Sequence, residues 1–246
     1  MNKSFILIAI TLLFLSCEKQ KEISAQDIVD KSIEISGGDK IKNSTIAFGF
    51  RDKYYKAVRN NGQFQLERMS RDSINIIRDV LSNDEFKRYI NNKIVKVPDS
   101  MVPKYSASVN SVHYFSVLPF GLNDAAVKKQ YIGKVTLKEK PYHKIKITFN
   151  KDGGGEDFED VFVYWINTET HKTAYIAYLY HENHGIGLRF REAYNERYVE
   201  GVRFVDYNNY KPEDASVSVL DLDDLFEKNQ LQLLTKIELT NLTVVN

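Results

Sequence analysis

The stretch Val161–Ile166 is apolar on both faces, and a fold can accept such a strand only by covering it twice. Val161, Val163 and Trp165 point one way and Phe162, Tyr164 and Ile166 the other, because successive side chains of a strand alternate. Thr173–Tyr180 repeats the pattern. A sheet with one wet face is excluded here, so something packs on each side.

The rest of the chain says what can do the covering. Period-two alternation marks Ile46, Phe48 and Phe50, then Phe64 and Leu66 after the turn Asn60-Asn61-Gly62. Further strands are read at Ile74–Leu81, Val127–Leu137, Tyr142–Phe149, Gly187–Tyr194, Val202–Tyr210 and a last one at Lys236–Val245. The connections are short and lack crossover helices, which makes the sheet antiparallel. Two principal helices are expected. One opens at Ser24, with Asp27 in capping-box position, and stops at Gly37-Gly38. The other spans Met101–Leu118, capped by Ser100, with Pro103 in its first turn and Pro119 at its end. Tyr105, Val109, Val112 and Phe115 form its apolar stripe. Short helical stretches are expected at Asp84–Ile90 and Asp221–Lys228. The fold class is mainly β, a curved antiparallel sheet or incompletely closed barrel wrapped around helices, with the 101–118 helix covering the concave side.

Three segments resemble a known family. Ala25–Gly38 is similar to its opening helix ending in Gly-Gly. Tyr164-Trp165-Ile166-Asn167-Thr168-Glu169-Thr170 resembles its strand and following turn, and Glu200-Gly201-Val202-Arg203-Phe204 its Gly-centred entry to a late strand. The family is the outer-membrane lipoprotein carrier and receptor superfamily (LolA/LolB type), and the likeness is closer to uncharacterised Gram-negative lipoproteins than to the carrier itself. The resemblance implies a half-barrel of roughly eleven strands plugged by helices, with a concave apolar cavity for acyl chains or another greasy ligand. It transfers no substrate.

Cys17 is the one cysteine of the chain. Lys3, the apolar run Phe5–Leu15 and small Ser16 precede it, as in a secretory signal. That run is about half the ~20 residues of a membrane-spanning helix. The pattern resembles a bacterial lipoprotein signal, which implies acylation of Cys17 and cleavage before it. Residues 1–16 are then the signal peptide, 17–23 a charged, solvated tether, and 24–246 one half-barrel domain. The expected location is the periplasmic face of the outer membrane, with the cell surface as the alternative. The 34 basic and 33 acidic residues balance, which argues against a nucleic-acid partner. A single cysteine excludes disulfides within the chain and, once acylated, thiol catalysis and cysteine-based zinc sites.

Two loops could carry chemistry. His181-Glu182-Asn183-His184 pairs two histidines, but at a spacing one short of the helical zinc-protease pattern, and Gly185 and Gly187 mark a hairpin. His171 falls in another turn. Asp152–Asp160 is rich in acids and glycine, as calcium loops are, yet its ligand spacing misses the calcium-loop template. No phosphate loop, dinucleotide fingerprint or nucleophile elbow is present. Arg189, Arg191 and Arg203 could grip an acidic head group, although their alternation with Leu188 and Phe190 reads more simply as a wet outer face. The expected protein is a membrane-anchored, non-enzymatic lipoprotein without cofactor or metal. It binds a lipid, a lipoprotein acyl chain or another hydrophobic ligand, with Ile46, Phe48, Phe50, Tyr105, Val109, Val112, Ile147, Val163 and Trp165 lining the cavity. A closed dry core, an envelope scaffold with a protein partner, and a metal-dependent hydrolase on the His181/His184 loop are the competing readings.

Overall fold

A computed structural model describes residues 24–154, 158–182 and 185–246, with only the backbone of Glu182. Cys17, the tether, residues 155–157 of the acidic loop, and Asn183 and His184 lie outside the described residues. Helix α1 (Ala25–Ile35) begins where expected: Ser24 Oγ accepts the Asp27 N–H at 3.0 Å. Gly37, at φ +82°, turns the chain into the short α2 (Gly38–Ile41).

Strands β1 (Thr45–Phe50), β2 (Lys53–Asn60), β3 (Gln63–Arg71), β4 (Ile76–Ser82), β5 (Phe86–Ile90) and β6 (Lys93–Val95) follow as an antiparallel meander. Helix α3 (Val102–Ser116) comes next. After it run β7 (Val127–Leu137), β8 (Lys140–Phe149), β9 (Val161–Asn167), β10 (Thr173–Glu182), β11 (Gly185–Val199) and β12 (Val202–Pro212). Helix α4 (Leu222–Glu227), β13 (Leu231–Ile237) and β14 (Thr240–Val245) end the chain. The strands form two seven-stranded sheets, β14-β1-β2-β3-β4-β5-β6 and β13-β12-β11-β10-β9-β8-β7. Every pairing is antiparallel. Four hairpins turn on two consecutive left-handed residues: Asn61-Gly62, Asn91-Asn92, Lys138-Glu139 and Glu200-Gly201, the backbone that matches strand twist.

The described residues thus hold fourteen strands against the roughly eleven that the resemblance implies; β2 and β6 carry no strand reading above, and two more arise where the sequence pattern misleads. Asp84–Ile90 is not helical. Ser82 Oγ accepts the N–H groups of Asp84 and Glu85, closing a tight turn into β5. The expected last strand, Lys236–Val245, is two strands that belong to different sheets. The buried carboxylate of Asp206 makes the break, accepting the Leu239 N–H at 3.0 Å together with Arg197 at 2.9 Å and Asn195 at 2.6 Å. Ser100 does not cap α3. A single 3-10 turn, Asp99–Met101, leads into the helix, with Pro103 in its first turn.

The doubly apolar strands have two covers. On the concave face of the second sheet, Phe162, Tyr164 and Ile166 pack with Ile176 and Tyr178 against Ile28 and Val29 of α1 and against Leu118 and Leu122 beyond α3. On its convex face, Val163 and Trp165 pack with Tyr175 and Phe190 under Val219, Leu222 and Phe226 of the α4 region. The Phe190 and Phe226 rings stack 4.8 Å apart, worth about 0.5–1.5 kcal/mol beyond area burial. Helix α3 does not lie centrally over this sheet. It rests on β3 and β4 of the first sheet, where fully buried Val109 meets Ala57 and Leu66.

The segments that carry the family resemblance meet in space. A Cβ on Gly37 would stand 2.3 Å from the Gly201 carbonyl oxygen. Lys40 Nζ donates to the Glu200 carbonyl at 2.8 Å, and the Arg203 N–H donates to the Ser36 carbonyl at 3.1 Å. Asn167 Oδ1 collects the N–H groups of Glu169 and Thr170, an Asx turn that explains the Asn-Thr-x-Thr pattern.

Candidate functional site

Small residues on one flank of α3 leave the space between the two sheets unfilled. Ala107 and Ser111 line that space where a dry core would need Leu or Phe, and Ser108, also on its lining, accepts from Arg68 of the first sheet at 2.7 Å. The result is a cavity of about 960 Å³ that reaches solvent, at the upper end of the ~300–1,000 Å³ typical of ligand pockets. Val112 and Phe115 of α3, Phe50 of β1, and Phe149, Phe162 and Tyr178 of the second sheet provide its apolar walls. The aromatics are coupled: Phe162 stacks on Tyr178 at 5.3 Å, and Phe115 leans on both.

Of the nine residues read as lining, Phe50 and Val112 reach this cavity. Ile46 and Phe48 are fully buried beside it, between β1, β2 and the end of α3. Val109 is buried under α3 and Ile147 in the concave core. Tyr105 stacks on Phe86, with the Arg88 guanidinium 3.7 Å from its ring centre. Val163 and Trp165 point to the convex face, away from the cavity. Alternation separates the two faces of a strand but does not say which one is concave, and here the even-numbered residues face inward.

The arginines correct a second expectation. Arg191 does not lie on a wet outer face. It is 8% exposed and lines the cavity. Its guanidinium lies 3.9 Å from the Phe115 ring centre and 5.0 Å from that of Tyr178, and it donates to the Tyr178 hydroxyl at 2.7 Å. Arg189 sits over Tyr180 on the same face. Arg203 is buried and donates to Glu196 at 2.6 Å and to the Thr173 carbonyl at 3.1 Å. Tyr180 fits because its partner across the ladder is Gly187, where a Cβ would fall 2.2 Å from the ring. Burial pushes the Tyr178 hydroxyl up, and that of Tyr114 up to about 12, so these walls are neutral.

His181 stands at the cavity. It is exposed, with Nδ1 3.9 Å from Asp160. His171 occupies the turn before β10, the opposite end of the strand from His181, roughly 30 Å away at the rise of a strand. Among the described residues no group of three His, Cys, Asp or Glu side chains could hold a metal. No helix among them is long and apolar enough to cross a membrane.

Two histidines, His113 and His143, escaped the sequence reading. His113 of α3 is completely buried edge-on against the stacked rings of Phe48 and Tyr55, and its Nε2–H donates to the Glu67 carbonyl at 2.9 Å. Burial lowers its pKa to about 4, with the Arg59 charge adding in the same direction. The unfolded chain therefore binds a proton that the folded chain refuses between about pH 6.5 and 4, so stability is full above 6.5 and falls as pH drops through this window. The loss attributable to His113 reaches about 3 kcal/mol below pH 4. Urea unfolding from pH 7 to 4 should show this slope in wild type and a shallower one in His113→Phe; parallel slopes would rule it out.

The family model for a family of unknown function, DUF6503, matches residues 2–239. No curated protein matches the chain. Among solved structures, the chain is similar to a LolA superfamily protein from Nitrosomonas europaea, at 11% identity and TM-score 0.47 over 91% of this chain and 92% of that one. It is also similar to an outer membrane lipoprotein-sorting protein domain from Vibrio parahaemolyticus, at 9% identity and TM-score 0.43 over 84% and 98%. A DUF1329 family protein from Desulfovibrio piger follows at 10% identity and TM-score 0.40 over 85% and 99%. With its family model spanning nearly the whole sequence, the chain belongs to the DUF6503 family.

Proposed function

We propose that this protein is an envelope lipoprotein, tethered by acylated Cys17 at the outer membrane, whose half-barrel holds a lipid or lipid-like ligand without altering it chemically. The cavity of about 960 Å³ between α3 and the concave sheet supports this reading. Its aromatic walls are not closed by the helix above them, because that helix presents Ala107, Ser108 and Ser111. Transfer of an acyl chain into such a space is favoured by about 0.8 kcal/mol per buried methylene. The tether keeps the cavity close to a bilayer that supplies or receives the ligand.

The test is extraction of the purified full-length protein with organic solvent, followed by mass spectrometry of the extract. Solvent leaves the acyl groups on Cys17 in place and removes only what is held non-covalently. About one lipid per chain is expected, together with saturable binding of a fluorescent fatty acid. An empty extract and no probe binding would remove the proposal.

A further inference from the structure

Several wholly or partly buried arginines in this protein pair with a carboxylate. Arg68 and Arg88 share Asp79, Arg197 pairs with Asp206, and Arg203 with Glu196. Arg191 is as buried as these, yet no carboxylate among the described residues pairs with it. Its Nε is enclosed and has no hydrogen-bond partner. Arg59 also lacks a carboxylate, but it lies against Phe120, away from the cavity walls. A cation held among aromatic faces, largely buried and short of one acceptor, is arranged for an anion to arrive.

The cavity has four other acidic or basic side chains. Lys104, Asp124 and His181 are exposed. Asp160 precedes Val161, which pairs with Leu179, whereas Arg191 pairs with Ile176. That separation is about four residues along the sheet, roughly 13 Å. An anionic head beside Arg191 would therefore not meet Asp160.

Resting on the reading of this cavity as a lipid site, we propose that Arg191 binds the head group of an acidic amphiphile, a carboxylate or a phosphate, with the acyl chain lying along Phe115, Phe149 and Phe162. The ligand enters head first, and its charge completes the hydrogen bonding that the protein leaves open at Arg191. This narrows the ligand class from lipids in general to anionic ones.

The experiment titrates hexadecanoate, hexadecyl phosphate, hexadecanol and hexadecyltrimethylammonium into delipidated full-length protein, read by native mass spectrometry. Hexadecanoate or hexadecyl phosphate should bind at least about tenfold more tightly than hexadecanol, and their order identifies carboxylate or phosphate as the preferred head. Arg191→Met should bring the anions to within about twofold of hexadecanol and leave hexadecanol binding intact. Equal binding of hexadecanol and both anions by wild type overturns the inference but leaves the lipid site standing. Binding of none of the four overturns the lipid site itself. Discrimination that persists in Arg191→Met assigns the head group elsewhere and refutes the role of Arg191. If that variant does not fold, the wild-type series is joined by the 15N shift of Arg191 Nε, which should move with hexadecanoate and not with hexadecanol; an unmoved shift is equally fatal.

Discussion

Asp223→Ala is expected to destabilise the fold by about 3–5 kcal/mol, among the largest single effects available in this chain. Lys144 projects from the convex face of the second sheet, and its Nζ donates to both oxygens of Asp223 at 2.9 Å and to the Leu220 carbonyl at 2.6 Å. The Trp165 indole N–H donates to the same carboxylate at 3.0 Å. Both charged side chains are nearly buried, at 10% and 7% exposure. Removing the carboxylate leaves an ammonium and an indole N–H enclosed beneath α4 with neither their anion nor water. The double variant Lys144→Met/Asp223→Leu removes both charges and should recover most of the loss, because an apolar pair of similar volume avoids the desolvation cost. Urea unfolding with an unchanged m-value is the measurement. A loss below about 1 kcal/mol in the single variant would show that water reaches the site and that the pair is a surface one.

This cluster also shows where sequence reading reached and where it stopped. Alternation in Val161–Ile166 required two covers, and the two covers exist: Ile28 and Val29 of α1 on one face, Leu222 and Phe226 on the other. The short helix near Asp221–Lys228 was legible from its pattern, but its pairing with Lys144 was not. That contact joins residues 79 positions apart, and no local signal specifies it. The same limit explains the inverted faces. A strand's period fixes two sets without labelling them, so alternation alone puts Val163 and Trp165 inward as readily as outward, and the label comes from sheet curvature and from where α4 docks.

Arg191 is the clearest case of a local rule giving the wrong surroundings. A charged residue alternating with Leu188 and Phe190 normally means solvent on its side. Here Leu188 and Phe190 face α4, and the opposite side looks into the cavity rather than into water. The available signal was indirect. Tyr178, opposite the neighbouring position of β11, is an aromatic with a hydroxyl placed to accept from a guanidinium, and an arginine among aromatics on a doubly covered sheet points inward. His113 was missed for a similar reason. It sits one residue after Val112 on α3, outside the apolar stripe of Tyr105, Val109, Val112 and Phe115, yet the helix turns it onto Phe48 and Tyr55.

Ser111→Trp should abolish lipid binding while leaving the fold intact, since it places an indole in the space that α3 leaves open. Ser111 is exposed at the cavity, and its hydroxyl makes only a 3.4 Å bond to the Ser108 carbonyl on its own helix. Little is lost with the serine, and Ser and Trp differ little in helix propensity. The indole would meet Phe115 and Phe162 across the gap and gain aromatic contact there. Occupying the space an acyl chain needs should weaken fluorescent fatty-acid binding by at least about tenfold, or 1.4 kcal/mol. The melting temperature should hold or rise, because a void next to apolar rings is being filled. Arg71→Trp, on an exposed strand end away from the cavity, controls for the added indole and should bind like wild type. Retained affinity in Ser111→Trp would move the ligand to another surface. Lost affinity together with a lowered melting temperature would mean that the flank of α3 is already packed and that the interior is a core without room for a guest.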